Sequence, residues 1–230
     1  MKTHTHFHRR MQDIREDLLA MAGLVETAVN DAYNALLQRN PRLAKEVIDG
    51  DRRIDLMENE IDEKSIALLA TQQPVAIDLR FLAATTKICS FLERVGDQSV
   101  NLSWRVITLA EMDPVEVPDV LKRIYEISHA MLHDSLDCFV NGDPDKARSI
   151  IERDDEVDRL TRRFLEDNIQ SMNKERKVVR SGVEMILLSR HIERIADEAT
   201  NVAEEVVYLV EGEVIRHQGH SDSDPSVGPL

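Results

Sequence analysis

Carboxylates recur in this chain at a spacing that puts them on one side of a helix. Glu93, Asp97 and Asn101 stand four apart in the run Glu93-Arg94-Val95-Gly96-Asp97-Gln98-Ser99-Val100-Asn101. The pattern returns as Glu193-Arg194-Ile195-Ala196-Asp197-Glu198-Ala199-Thr200-Asn201. Residues four apart stack on one helix face, so each run predicts a stripe of oxygen donors. Upstream of each stands a second pair with the same spacing, Asp51 and Asp55, then Asp154 and Asp158. Oxygen-rich donor sets suit hard cations such as Mg²⁺, Ca²⁺, Mn²⁺ and Fe³⁺, and carboxylates also serve Zn²⁺. The expected metal ligands are therefore Asp51, Asp55, Glu93 and Asp97 in one copy, and Asp154, Asp158, Glu193 and Asp197 in the other. Asn101 and Asn201 would add a ligand or a hydrogen bond to one. A competing expectation is a salt-bridge network in which Arg80, Arg94, Arg180 and Arg194 offset the same charges.

The elements that must position these residues are helices. Met11, Ile14, Leu18, Met21, Val25, Ala28, Ala32 and Leu36 keep one apolar face through a first helix, over 7–37. Asn40-Pro41 stops it and starts a second, over 42–71, with Val47, Ile54, Ile61 and Leu68 as its stripe. Gln72-Gln73-Pro74 precedes a third, over 75–111. The cycle repeats as helices over 119–140, 146–172 and 178–211, with Asn141-Gly142-Asp143-Pro144 between the first two. Each acidic pair thus lies on the second or third helix of a three-helix unit. In an antiparallel hairpin, residues equally far from the turn face one another. Asp51 and Asp97 are equidistant from Pro74, as are Asp55 and Glu93. Asp154 and Asp197, and Asp158 and Glu193, are equidistant from the Glu175–Arg176 junction. Both hairpins are expected to bring four carboxylates to one level. Like charges at that density raise one another's pKa and call for protons, arginines or cations.

Composition agrees with an all-α fold. Of 230 residues only 4% are aromatic, with 8 Gly and 7 Pro, so turns and β-formers are scarce. The expected architecture is two tandem three-helix bundles related by an internal repeat. They would cover 1–112 and 119–212, joined by a linker over 113–118 that carries Pro114 and Pro118, with a disordered tail over 213–230. The formal net charge of −14 disfavours nucleic acid and anionic membranes as partners. No run has the ~18 apolar residues a membrane span needs, and no signal peptide is visible. Cys89 and Cys138 lie in apolar helical runs and are expected as buried, reduced thiols, which fits the cytoplasm.

Histidines contribute less. His129 and His133 are four apart, and Glu126 stands three before His129 as in di-iron bundles, but the corresponding residues of the first copy are Glu26 and Asn30. His4, His6 and His8 are expected either to bind metal adventitiously or to be an exposed terminus and no more. Trp104 and Tyr208 are expected as packing residues. Walker-type loops, nucleophile elbows and zinc-finger spacings are missing from the sequence.

From about His8 to Gly219 the chain resembles the PhoU family of phosphate-signalling regulators. The resemblance rests on Ala44-Lys45-Glu46-Val47-Ile48-Asp49-Gly50-Asp51, on Gln73-Pro74-Val75-Ala76-Ile77-Asp78-Leu79-Arg80, and on the two Glu-Arg-(Val/Ile)-(Gly/Ala)-Asp runs. It implies a cytoplasmic, often homodimeric, non-enzymatic adaptor. Such an adaptor would link the ATPase of a phosphate ABC transporter to a sensor histidine kinase and silence the phosphate-starvation response. It also implies iron or zinc clusters on the acidic motifs, which map onto Asp51/Asp55, Glu93/Asp97, Asp154/Asp158 and Glu193/Asp197. Two features depart from the family pattern: Ala196 where the first copy has Gly96, and the shorter Asp at 51 and 154. Against the adaptor stand a carboxylate-bridged metal-dependent enzyme and a store for metal or phosphate.

Overall fold

The computed structural model describes residues 2–215, with side chains from residue 6 onward. The tail expected over 213–230 falls mostly outside these residues; within them, Ile215 packs against the core. The helices are α1 (Lys2–Gln38), α2 (Pro41–Gly50), α3 (Arg52–Gln72), α4 (Ile77–Ala110), α5 (Asp119–Asn141), α6 (Pro144–Lys174) and α7 (Val179–Glu211). A 3₁₀ turn, Arg176–Val178, joins α6 to α7.

Local chemistry accounts for the helix starts. The Asn40 side chain accepts hydrogen bonds from the backbone N–H of Arg42 and Leu43, and Pro41 supplies a first-turn residue that needs no donor. Asp143 and Pro144 do the same for α6, with the Asp143 carboxylate accepting from Lys146. At the far end of α1, Arg39 adopts a left-handed backbone, φ 48°. Its Nη2 donates to the carbonyls of Leu109 (2.9 Å) and Met112 (2.7 Å), satisfying orphan acceptors at the end of α4.

The sequence predicts one unbroken helix over 42–71, and here the structure differs. The ladder lapses at Asp51, between α2 and α3, although Asp51 keeps right-handed dihedrals (φ −58°, ψ −37°). The two segments therefore form one helix with a local fault, giving six helices in two repeats. Gly50 supplies the reason, since glycine weakens a helix by about 1 kcal/mol relative to alanine. In the second repeat Arg153 precedes Asp154, and α6 runs through without a break.

The first repeat comprises α1, α2/α3 and α4; the second comprises α5, α6 and α7. They share one core, with Met21, Ile61, Leu92, Ile124, Val157 and Val202 all inaccessible to solvent. The most extensive packing between any two helices is that of α4 along α7. Four polar contacts set its register: Lys87 to Glu205 (3.1 Å), Arg94 to Glu198 (3.6 Å), Gln98 to His191 (3.0 Å) and Arg105 to Glu184 (3.3 Å). Numbers rise along one helix as they fall along the other, so α4 and α7 are antiparallel. Tyr33 of α1 stacks on Tyr125 of α5 with ring centres 3.4 Å apart. In the segment 113–118, Val117 is buried and Val115 packs on the core. Both cysteines are buried free thiols. Tyr208 lies under the Lys87 ammonium, 5.3 Å from its ring centre. Trp104 departs from the expectation of packing: it is 48% exposed, because its place on α4 is that of the outward acidic stripe, not the core face.

Candidate cation-binding faces

Asp51 is carried by the fault between α2 and α3 and lies against Gly96 of α4. A Cβ at Gly96 would lie 3.1 Å from the Asp51 Oδ1 and 3.2 Å from the Ile54 Cδ1. The missing side chain lets the two helices approach, and the next residue on α4 is Asp97. Asp55 follows Asp51 by one turn, and Glu93 precedes Asp97 by one turn.

The electrostatics record how these groups crowd. Asp51 is pushed up to about 6, chiefly by burial and then by Asp55 and Asp97. Glu93 is pushed up to about 7 by burial, then by Asp97, Glu58, Asp55 and Asp51. Asp97 also rises, through burial and Asp55. So the four carboxylates expected in the first repeat do feel one another.

Two more join them that the sequence reading missed. Glu58 is raised by burial, Asp62 and Asp55, with Arg94 pulling the other way, and Asp62 is raised by burial. One buried oxygen of Asp62, Oδ1, has no hydrogen-bond partner. The signal was present: 51, 55, 58 and 62 follow the four-three-four spacing of one helix ridge. A four-residue step alone does not link Asp55 to Glu58.

The second repeat is built differently. Asp197 is pushed up to about 6 by burial, then by Glu193, Asp158 and Glu198, with Arg194 opposing. Thr161 and Leu165 stand where the first repeat has Glu58 and Asp62. Arg190 stands where the first repeat has Ser90, and its Nη1 lies 2.8 Å from Glu193 Oε2. Asp154 sits half-buried one turn before Asp158. Asn201 donates to Glu198 Oε2 at 3.1 Å, and Asn101 is half-buried one turn beyond Asp97. The second face is therefore partly neutralised by an arginine of its own, whereas the first keeps six carboxylates.

Of the arginines expected to offset the charges, Arg94 turns across the repeat boundary to Glu198. Arg194, also expected, opposes the rise of Asp197, and a second cation that was not expected, Arg190, pairs with Glu193. His133 and Tyr125, a turn before His129, make their contacts with α1. His133 Nδ1 meets Glu26 at 2.8 Å, which raises the histidine's pKa, and Tyr125 donates to Asn30 at 3.4 Å. Both contacts tie α5 to α1. The side chain of His4 lies outside the described residues, and His6 and His8 are exposed.

Whether these faces fit a cation is a matter of donor chemistry. All first-repeat donors are oxygens, several with pKa values raised by burial and then by one another, and oxygen donors suit hard cations. Among the described residues no three His, Cys, Asp or Glu side chains converge closely enough to hold a metal ion.

Comparison with known proteins returns a consistent result. The PhoU domain family matches residues 18–106 and again 121–206. The phosphate-specific transport system accessory protein PhoU homolog of Pseudomonas aeruginosa is 37% identical over 218 residues, spanning 93% of this chain and 88% of that protein. The homolog of the same description from Aquifex aeolicus is 38% identical, over 91% of this chain and 95% of its own length. Among solved structures, PhoU from Pseudomonas aeruginosa superposes with a TM-score of 0.86 at 37% identity, covering 90% of this chain and all of that one. The phosphate transport system regulatory protein PhoU from Streptococcus pneumoniae gives 0.84 at 28% identity, covering 90% and 98%.

Proposed function

This chain belongs to the PhoU family, and from that premise we propose that it is a non-enzymatic regulator of phosphate transport. It acts in the cytoplasm as an adaptor, as a homodimer. One partner is the ATPase of a phosphate ABC transporter and the other a sensor histidine kinase, whose starvation signal it silences when phosphate is plentiful. The observation that carries this reading is the match of both repeats, at over 90% of the chain, to proteins described as phosphate-specific transport accessory proteins. A net charge of −14 and the absence, among the described residues, of any helix long and apolar enough to cross a membrane support an adaptor that docks on other proteins.

The acidic faces have a part in this reading. Asp51, Asp55, Glu58, Asp62, Glu93 and Asp97 would hold a hard cation or a small cluster of them, and Asp154, Asp158, Glu193 and Asp197 would hold one more weakly. Bound cations would supply charge neutralisation at the α3–α4 seam, where Asp51 and Glu93 are both raised. Asn101 and Asn201 flank these sets.

The test is direct. The transporter ATPase is expected to co-purify with the full chain, and deletion of the gene is expected to switch on phosphate-starvation genes in phosphate-rich medium. Unchanged expression in the deletion strain would sink the regulatory reading.

A further inference from the structure

The helices α1, α4, α5 and α7 leave between them a cavity of about 500 Å³, away from both acidic faces. On α4 it is lined by Ile77, Asp78 and Phe81, and Phe81 precedes Glu93 by about three helical turns. Arg15 of α1 reaches into this cavity. Its guanidinium carbon lies 5.6 Å from the Phe81 ring centre and 5.7 Å from that of Phe139. Cation–π contact of this kind holds a guanidinium in place without using its hydrogen-bond donors. The Arg15 Nε is buried with no hydrogen-bond partner. Arg15 also lacks any carboxylate at ion-pair distance among the described residues, although Asp78 shares the cavity wall. A guanidinium presents five N–H donors in a fork suited to a carboxylate.

The remaining walls are mainly apolar, with Met11, Phe139 and Leu209 prominent. A space of this size, apolar but for a few placed polar groups, has the character of a small-molecule site. Packing alone would account for an arginine stem against aromatic rings, but not for a buried Nε left without an acceptor beside such a space.

We propose that this cavity binds a small amphipathic organic monoanion. Its carboxylate, or a head of like charge, pairs with Arg15, and its apolar body lies against Met11, Phe139 and Leu209. Asp78 on the same wall repels a second negative charge, which selects monoanions over inorganic phosphate. α1 and α4 come from the first repeat and α5 and α7 from the second, so the ligand clamps the two together.

The probe is anilinonaphthalene sulfonate, a monoanion with an aromatic body, titrated by fluorescence into the full chain. One molecule is expected to bind per chain with blue-shifted emission. Octanoate is expected to displace it, and inorganic phosphate at the same concentration is not. Arg15→Gln is expected to weaken binding about tenfold, which is about 1.4 kcal/mol. Val210→Glu, which places a carboxylate on a half-open wall, is expected to weaken it equally and serves if Arg15→Gln misfolds. Octanoate should raise the thermal midpoint of the wild type but not of either variant. Equal binding by wild type and variants, displacement by phosphate as readily as by octanoate, or no stoichiometric binding would each overturn the proposal.

Discussion

Arg94 of α4 pairs with Glu198 of α7 at 3.6 Å, so the arginine of one acidic motif is spent on the glutamate that follows the aspartate of the other. The pseudo-equivalent of Glu198 on α4 is Gln98, which meets His191 at 3.0 Å instead. The two motifs are thus joined by unlike polar contacts at the α4–α7 seam. Arg94 is 53% exposed, so its pair with Glu198 is worth about 0–1 kcal/mol. Arg94→Met is expected to lower stability by no more than that in urea unfolding. It is also expected to raise the pKa of Glu58, which Arg94 now lowers, in a carboxyl-carbon NMR titration.

Stability should fall as pH rises through the range where the acidic faces ionise. Asp51 and Glu93 have folded pKa values of about 6 and about 7, above their ordinary 3.8 and 4.5. Between those limits the folded state binds more protons than the unfolded one, so raising the pH destabilises it. His191, lowered to about 4 by burial, then by Arg194 and Arg105, acts oppositely as pH falls below its ordinary 6.5. The clean readout is therefore a difference. Without divalent cations, wild type is expected to lose thermal stability from pH 5 to pH 8 relative to Glu93→Gln, and a profile unchanged by that substitution would contradict the cluster's role.

Cation binding should be unequal between the repeats. Arg190 lies against Glu193 in the second, and no arginine holds that place in the first. Elemental analysis and Mn²⁺ calorimetry are expected to show Asp97→Asn losing more bound metal than Asp197→Asn. Arg190→Gln should strengthen the second face. Equal losses in the two aspartate variants would mean that Arg190 does not distinguish them.

Gly96 should matter more to Asp51 than to the helix. Gly96→Ala gains about 1 kcal/mol of helix propensity but crowds Ile54 and Asp51, so the net change in stability should stay within about 1 kcal/mol. Displacing the Asp51 carboxylate is expected to weaken Mn²⁺ binding several-fold, measured by calorimetry.

Glu205 is 2% exposed and lies 3.1 Å from Lys87. Lys87→Met leaves that carboxylate without its ammonium and is expected to cost about 2–3 kcal/mol in urea unfolding. Adding Glu205→Gln should recover much of the loss, because the buried charge then disappears with its partner.

The sequence by itself determined the helices and the repeat, and in the first hairpin it indicated that Asp51 and Asp97 feel one another. These are local or periodic matters: the apolar stripe through Val47, Ile54, Ile61 and Leu68, the Asn40-Pro41 and Asp143-Pro144 starts, and the four-residue steps of the acidic runs each follow from helix geometry. Glu58 and Asp62 were equally legible but went unread, because the three-residue step of the same ridge was not followed. Tertiary structure alone decided the rest. The antiparallel seam of α4 and α7 turns Arg94 toward Glu198, and no spacing within one helix indicates which neighbour a long side chain will reach. The close approach at Gly96 carries Asp51 against α4, and Arg190 enters the second cluster where a serine leaves the first open. The cavity around Arg15 draws on four helices distant in the chain, and only their packing brings Phe81 and Phe139 to the same guanidinium.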